Sequence, residues 1–197
     1  MPTGQVFADK VVVFALDTDA HFAVLNSCFH TEWAEKTSSR LKEDPNYNLA
    51  KTFETFPLPT LTVSVERLGR EYHSCRQCAM VNRTEGLTDT YNRFHDPAES
   101  SPDVHTLRDL HVEVDQAVAT AYGWDDLDLD HGFHETKQGV RYTISEPARR
   151  EVLQRLLKLN HERYEEEVKQ GLHDKKKSKR KPSKKKKKAA DNEQKLF

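Results

Sequence analysis

The 197-residue sequence predicts a mainly helical α+β fold with a short N-terminal strand, several amphipathic helices and a disordered basic tail. Three observations predict it. Apolar residues recur at spacings of three and four along several long stretches, the pattern of helices with one buried face. Short β-branched runs are few, and from residue 174 onward lysine, serine and proline leave nothing to bury. With 36% hydrophobic and 32% charged residues the chain has enough apolar material for a modest core.

Residues 10–16, KVVVFAL, form a β-branched apolar run that reads as a buried strand, after which Thr18 or Asp19 is placed to cap a helix. Phe22, Leu25, Phe29 and Trp33 then recur at helical spacing on one face. The segment 47–59, YNLAKTFETFPLP, holds two prolines and three aromatics without helical spacing, so an extended or turning connector is expected. A helix follows over about residues 63–82, with Leu68, Tyr72, Cys75 and Ala79 along one side. Gly86 and the prolines at 97 and 102 punctuate the middle of the chain. Ser101 followed by Pro102 reads as an N-cap and first turn, and Val104, Leu107, His111, Val114, Val118 and Ala121 hold helical register until Gly123 stops it. Residues 140–144 suit a small strand. The clearest helix opens at Ser145, Glu146 and Pro147, with Val152, Leu153, Leu156, Leu157 and Tyr164 as its stripe.

Charge is divided unevenly. The net charge is −1, yet 11 of the 31 basic residues lie between positions 175 and 188, where there is no acid. Residues 1–174 therefore carry 19 bases against 30 acids, a body near −11 joined to a strongly cationic arm. The arm supports phosphate binding, because each lysine that meets a phosphate releases a condensed counterion. Lys175, Lys176, Lys177, Lys179, Arg180, Lys181, Lys184, Lys185, Lys186, Lys187 and Lys188 are the DNA-binding candidates. With no aromatic among them they add affinity rather than sequence choice. No stretch is long and apolar enough to span a bilayer and no secretory leader is evident at the start, so a cytoplasmic protein is expected. Cys28, Cys75 and Cys78 are too few for a disulfide framework.

No set of residues stands out as a catalytic or metal site. Cys75 and Cys78 form half of a zinc ligand set with no second pair, and Cys75 fits the apolar face of its helix. His105 and Asp109 lie four apart on a face expected to be solvated, beside His111 and Asp115 of the same helix. Asp44, Pro45, Asn46 and Tyr47 depart from the [DNS]-P-P-[YF] loop of amino-methylating DNA methyltransferases, since Asn46 stands where the second proline belongs, and the segment reads as a chance turn. Neither this loop nor a glycine-rich cofactor turn is complete, so no catalytic, cofactor-binding or metal-ligating residue is assigned in this chain.

Asn26 and Ser27, Trp33, Tyr47 and the run Phe53, Glu54, Thr55, Phe56, Pro57, Leu58, Pro59 resemble the C-terminal, target-recognition and helical region of type IIG restriction–modification enzymes and phage-exclusion (BREX-type) adenine-specific DNA methyltransferases. The likeness continues through Tyr91 and Asn92, through Leu107 to His111, Asp115, then Tyr122, Gly123 and Trp124, and ends at Leu159 and Asn160. Its signature residues are Trp33, Phe53, Phe56, Pro57, Pro59, Tyr91, Asn92, Tyr122, Gly123 and Trp124. The resemblance implies a DNA-binding portion of a site-specific adenine-N6 methyltransferase, catalytically incomplete alone. Its partners would be double-stranded DNA and a methylase domain or subunit, and S-adenosylmethionine would belong to the parent enzyme. The chain is expected to divide into a target-recognition-like end over 1–60 with its FETFPLP connector and a helical region over 61–172, both within the resemblance, and a disordered lysine-rich tail over 173–197 that is no part of the pattern. The competing expectation is an autonomous nucleic-acid-associated or scaffold protein that works through its lysine-rich tail.

Overall fold

The computed structural model describes residues 11–41 and 44–172. Their elements, in order, are α1 (Asp19–Asn26), α2 (Cys28–Thr37), the hairpin β1 (Ser39–Leu41) and β2 (Asp44–Asn46), a π-helical turn (Leu49–Phe53), α3 (Val63–Arg83), α4 (Leu87–Phe94), α5 (Pro102–Ala121), the hairpin β3 (Gly132–Thr136) and β4 (Gly139–Thr143), and α6 (Glu146–Lys169). The mainly helical α+β class read from the sequence is borne out. The chain divides into two compact units, Met1–Asn160 and His161–Phe197. In the second, residues 161–169 are exposed helix, and Gly171 turns the chain at φ +71.

The first unit is organised around α5. Its buried stripe of Leu107, Val114 and Val118 joins Phe29 and Trp33 of α2, Val65, Leu68 and Tyr72 of α3, and Val152 and Leu156 of α6 in one core. Each fully buried Val, Leu or Phe contributes roughly 1.5–3 kcal/mol of transfer free energy, which is why the stripe decides the packing. Helices α1 and α3 run side by side in the same direction, from Asp19 beside Arg70 to Asn26 beside Arg76, and approach closely at Gly69, where a Cβ would clash with the Asp19 carbonyl oxygen. At the same crossing Glu66 accepts a hydrogen bond from the backbone N–H of Ala20 (2.6 Å), so α3 caps α1.

Several boundaries fall where sequence signals placed them. Thr18 caps α1, its hydroxyl accepting from His21 N. Pro102 opens α5, and Gly123 follows its end at φ +74. The strand expected over residues 140–144 is β4, paired with β3 in the register Gly132↔Thr143 to Thr136↔Gly139.

Other expectations are corrected. Described residues of the run 10–16 pair with no described strand. They alternate between exposed and half-buried, with Phe14 set against the rings of Tyr47 and Phe53 at centroid distances of 6.1 and 4.7 Å. The period-two pattern is thus satisfied by side chains, and the N-terminal strands form at 39–46 instead. Asp44, Pro45 and Asn46 are strand β2 rather than a turn, while the connector contains a π-helical turn closed by Glu54 N on Leu49 O. The single helix expected through Phe22 and Trp33 is two helices, broken at Ser27, whose ψ of 158° is extended. Helix α4 has no counterpart in the sequence reading. On α6, Leu157 and Tyr164 of the expected stripe are exposed.

Candidate functional site

The break at Ser27 gives the site its geometry. The backbone N–H of Cys28, freed from helical bonding, donates to Asp115 Oδ1 at 2.8 Å, so a side chain of α5 caps the start of α2. Asp115 is fully buried, and the second oxygen of its carboxylate accepts from His131 Nε2 at 2.8 Å and lies 3.6 Å from His111 Nε2. Cys28 Sγ is 3.4 Å from His111 Nε2 and 3.5 Å from Thr143 Oγ1, and it accepts a hydrogen bond from Ile144 N–H. Asp130, at φ +45, immediately precedes His131 as the chain enters β3.

The electrostatics follow from burial. Desolvation and the adjacent Asp115 push the Cys28 thiol well above its ordinary value, so it is a protonated thiol in the protein as it stands. Burial likewise holds His111 low, against the pull of Asp115. Burial opposes charge on Asp115, but His111, His131 and the Cys28 contact outweigh it and keep the carboxyl below the usual range. No nucleophile is activated by this arrangement, because a catalytic cysteine requires its thiolate to be favoured.

Cys28 and His111 lie on the wall of a cleft of about 700 Å³ between α2, the β3–β4 hairpin and the first turns of α6. Its rim mixes Lys36, Arg141, Arg149 and Arg150 with Glu32, Glu35 and Glu146. His95, on the same wall, is held neutral down to about 4 by burial and by Arg141, and its Nδ1 accepts from Tyr142 N. Glu32 is pushed up to about 7, mainly by burial and further by Glu35 and Glu146, with Arg149 opposing. Native Glu32 therefore holds its proton where an unfolded chain, near 4.5, has lost it. Stability then falls as pH rises from about 4.5 to about 7 and stays lower above that. Glu32→Gln is expected to be neutral near pH 4 and to stabilise the chain by about 1–3 kcal/mol at pH 8. Thermal melts across this range check it, and a difference independent of pH would contradict it.

The family-signature residues are built into packing. Trp33 donates from Nε1 to the Thr52 carbonyl (3.0 Å) inside the π-helical turn. Phe56 is buried edge-on to His30, with ring centroids 5.0 Å apart, and Pro57 and Pro59 are buried beside it. Phe53 is half-buried on Phe14, and Asn160 Nδ2 of α6 donates to the Thr55 carbonyl (2.6 Å), tying the connector to the last helix. Tyr122 and Trp124 stack at 4.4 Å and both lie over Phe29, the φ of Gly123 making that reversal possible. Tyr91 meets the Tyr72 hydroxyl at 3.0 Å, whereas Asn92 is exposed. The eleven basic residues from Lys175 to Lys188 lie outside the described residues.

His105 and Asp109 are exposed, as their helical phase predicted. Cys75 is half-buried and Cys78 exposed, and they face no described third ligand. What the sequence reading missed is the meeting of Cys28 with His111, Asp115 and His131. A signal existed, since a His and an Asp four apart on the buried face of α5 must be satisfied by something, but the partners come from 83 and 16 residues away. No helix of the described chain is long and apolar enough to cross a membrane.

Taken as a class, the first unit is a helical α+β frame whose aromatic connector is locked into its core. Residues 1–60 match the family model for the target recognition domain of MmeI. The likeness to a type IIG target-recognition region, read above from scattered motifs, is thereby borne out over that span. No curated protein and no solved structure matches the chain.

Proposed function

We propose that this chain is a DNA-recognition portion of a type IIG or phage-exclusion restriction–modification system, acting with an adenine-N6 methylase domain or subunit that binds S-adenosylmethionine, and catalytically incomplete alone. The observation that carries the reading is the match of residues 1–60 to the MmeI target recognition domain. The connector motifs that extend the likeness toward residue 160 support it. In this reading the helical frame holds the recognition surface in place, and the protein works in the cytoplasm where its DNA is.

The division of labour follows from charge. A body near −11 repels phosphate, while the 11 basic residues of the tail attract it. Most duplex binding by the isolated chain is then non-specific and depends on the tail. If between about half and nearly all of these residues meet phosphates, the log–log slope of affinity against salt is about −4 to −9. The test compares the full chain with residues 1–174 on unrelated duplexes as salt is raised. A steep slope and loss of binding on removing the tail support the assignment. Equal affinity of both chains places recognition in the folded body, and no duplex binding by the full chain at low salt overturns the proposal.

A further inference from the structure

Cys28 Sγ, a ring nitrogen of His111 and a carboxylate oxygen of Asp115 lie within 4.8 Å of one another, on residues that are all buried. A tetrahedral zinc ion with bonds of about 2.0–2.3 Å places neighbouring ligand atoms roughly 3.3–3.6 Å apart. The contacts from His111 Nε2 to Sγ (3.4 Å) and to Oδ2 (3.6 Å) already have that spacing. From this geometry we propose that Cys28, His111 and Asp115 form a binding site for one zinc-class divalent cation, its fourth position filled by solvent from the cleft.

Further observations support it. Asp115 is a buried carboxylate with no Lys or Arg partner among its described contacts, so a cation between it and a thiolate would balance the charge: two negative ligands against a 2+ ion. The sulfur receives Ile144 N–H and faces the Thr143 hydroxyl, contacts that stabilise a thiolate more than a thiol. His131 Nε2 donates to Asp115 Oδ2 at 2.8 Å, an outer contact of the kind that orients a ligating carboxylate. The cleft supplies an entry path, because Cys28 and His111 line it.

Binding balances without any redox partner. The S–H bond of Cys28 breaks, its electron pair forms the sulfur–metal bond, and the proton leaves to solvent through the cleft. Thiolate, imidazole and carboxylate together suit zinc and its spectroscopic substitute cobalt(II) better than calcium or magnesium.

The test titrates tag-free, reduced full-length chain with cobalt(II) chloride. One equivalent is expected to produce tetrahedral ligand-field bands and a thiolate-to-cobalt charge-transfer band, both removed by one equivalent of zinc chloride. The double variant Cys75→Ser/Cys78→Ser leaves only Cys28 and is expected to keep the charge-transfer band, which assigns the thiolate without disturbing a buried position. Cys28→Ser is expected to lose it. His131→Ala, which removes the outer support of Asp115, is expected to weaken cobalt binding roughly 10–100-fold. Failure to see the charge-transfer band at one equivalent, or its loss in the Cys75/Cys78 variant, overturns the site. Unchanged affinity in His131→Ala takes Asp115 out of it.

Discussion

Replacing Arg108 with methionine is expected to destabilise the chain by about 3–5 kcal/mol, a large share of the stability of a domain this size. Arg108 is buried and its guanidinium reaches four backbone carbonyls, those of Phe94 (2.9 Å), Arg93 (3.1 Å), Asp96 (2.8 Å) and Glu99 (3.1 Å). Two of these are the last carbonyls of α4, where the helix dipole favours a cation, and the other two belong to the loop into α5. On its other side it lies 5.0 Å from the Phe133 ring centroid and 5.5 Å from that of Tyr142, which ties the β3–β4 hairpin to the same group. Methionine restores the volume but removes a charged donor from all four carbonyls; those of Arg93 and Asp96 keep the backbone N–H groups of Asp96 and Glu99, while those of Phe94 and Glu99 lose their donor, and each unmet buried acceptor costs about 1–3 kcal/mol before relaxation. Lysine keeps the charge, but its compact ammonium cannot span four acceptors spread around a planar fork, so Arg108→Lys is expected to recover less than half of the loss. Urea unfolding of the full chain measures both. A loss below about 1 kcal/mol for the methionine variant would mean that water satisfies the loop and that Arg108 is not its anchor.

Gly69→Ala is expected to cost about 3 kcal/mol, although alanine in an exposed helix would gain close to 1 kcal/mol over glycine. The added Cβ meets backbone rather than a flexible side chain: Asp19 O at 2.0 Å, Asp19 C at 2.7 Å and Ala23 Cβ at 3.1 Å. Helix α1 must therefore move away from α3 or tilt, which strains the Glu66 cap on Ala20 and opens the core around Ala20 and Ala23. The predicted sign is thus opposite to that of helix propensity. A melting temperature equal to or above that of the parent chain would show that the two helices separate at little cost. Because α1 leads directly into the Ser27 break, a shift of α1 should also perturb Cys28, and the cobalt titration of this variant would register it.

The helical class was legible because a buried stripe repeats every three to four residues whatever it packs against. Leu107, His111, Val114 and Val118 announced the inner face of α5 before any neighbour was known, and Pro102 and Gly123 marked its ends by local backbone chemistry. The connector 53–59 was legible as a packing element for a similar reason, since prolines and phenylalanines out of helical phase have few other uses. Residues 11–16 misled because a β-branched alternating run states only that one side is apolar. Whether that side meets a neighbouring backbone or aromatic rings depends on what lies beside it. Helix α4 escaped notice because its eight residues, LTDTYNRF, bury only Thr90 and Phe94, too few for a periodicity.

The sequence by itself determined which faces are apolar, where several helices begin and end, the acidic body and cationic tail, and the likeness over residues 1–60 to a target recognition domain. The tertiary structure alone decided where the first long helix breaks and what the break creates. Asp115 stands 87 residues from the Cys28 amide it caps, and His131 reaches the same carboxylate from the entry to β3. The physical reason is that the buried Asp115 carboxylate finds its partners in the free N-terminus of α2 and in the His131 imidazole, both distant in the chain. Such non-local partners leave no periodicity or spacing in the chain, because their meeting depends on how α2 and the β3–β4 hairpin pack against α5.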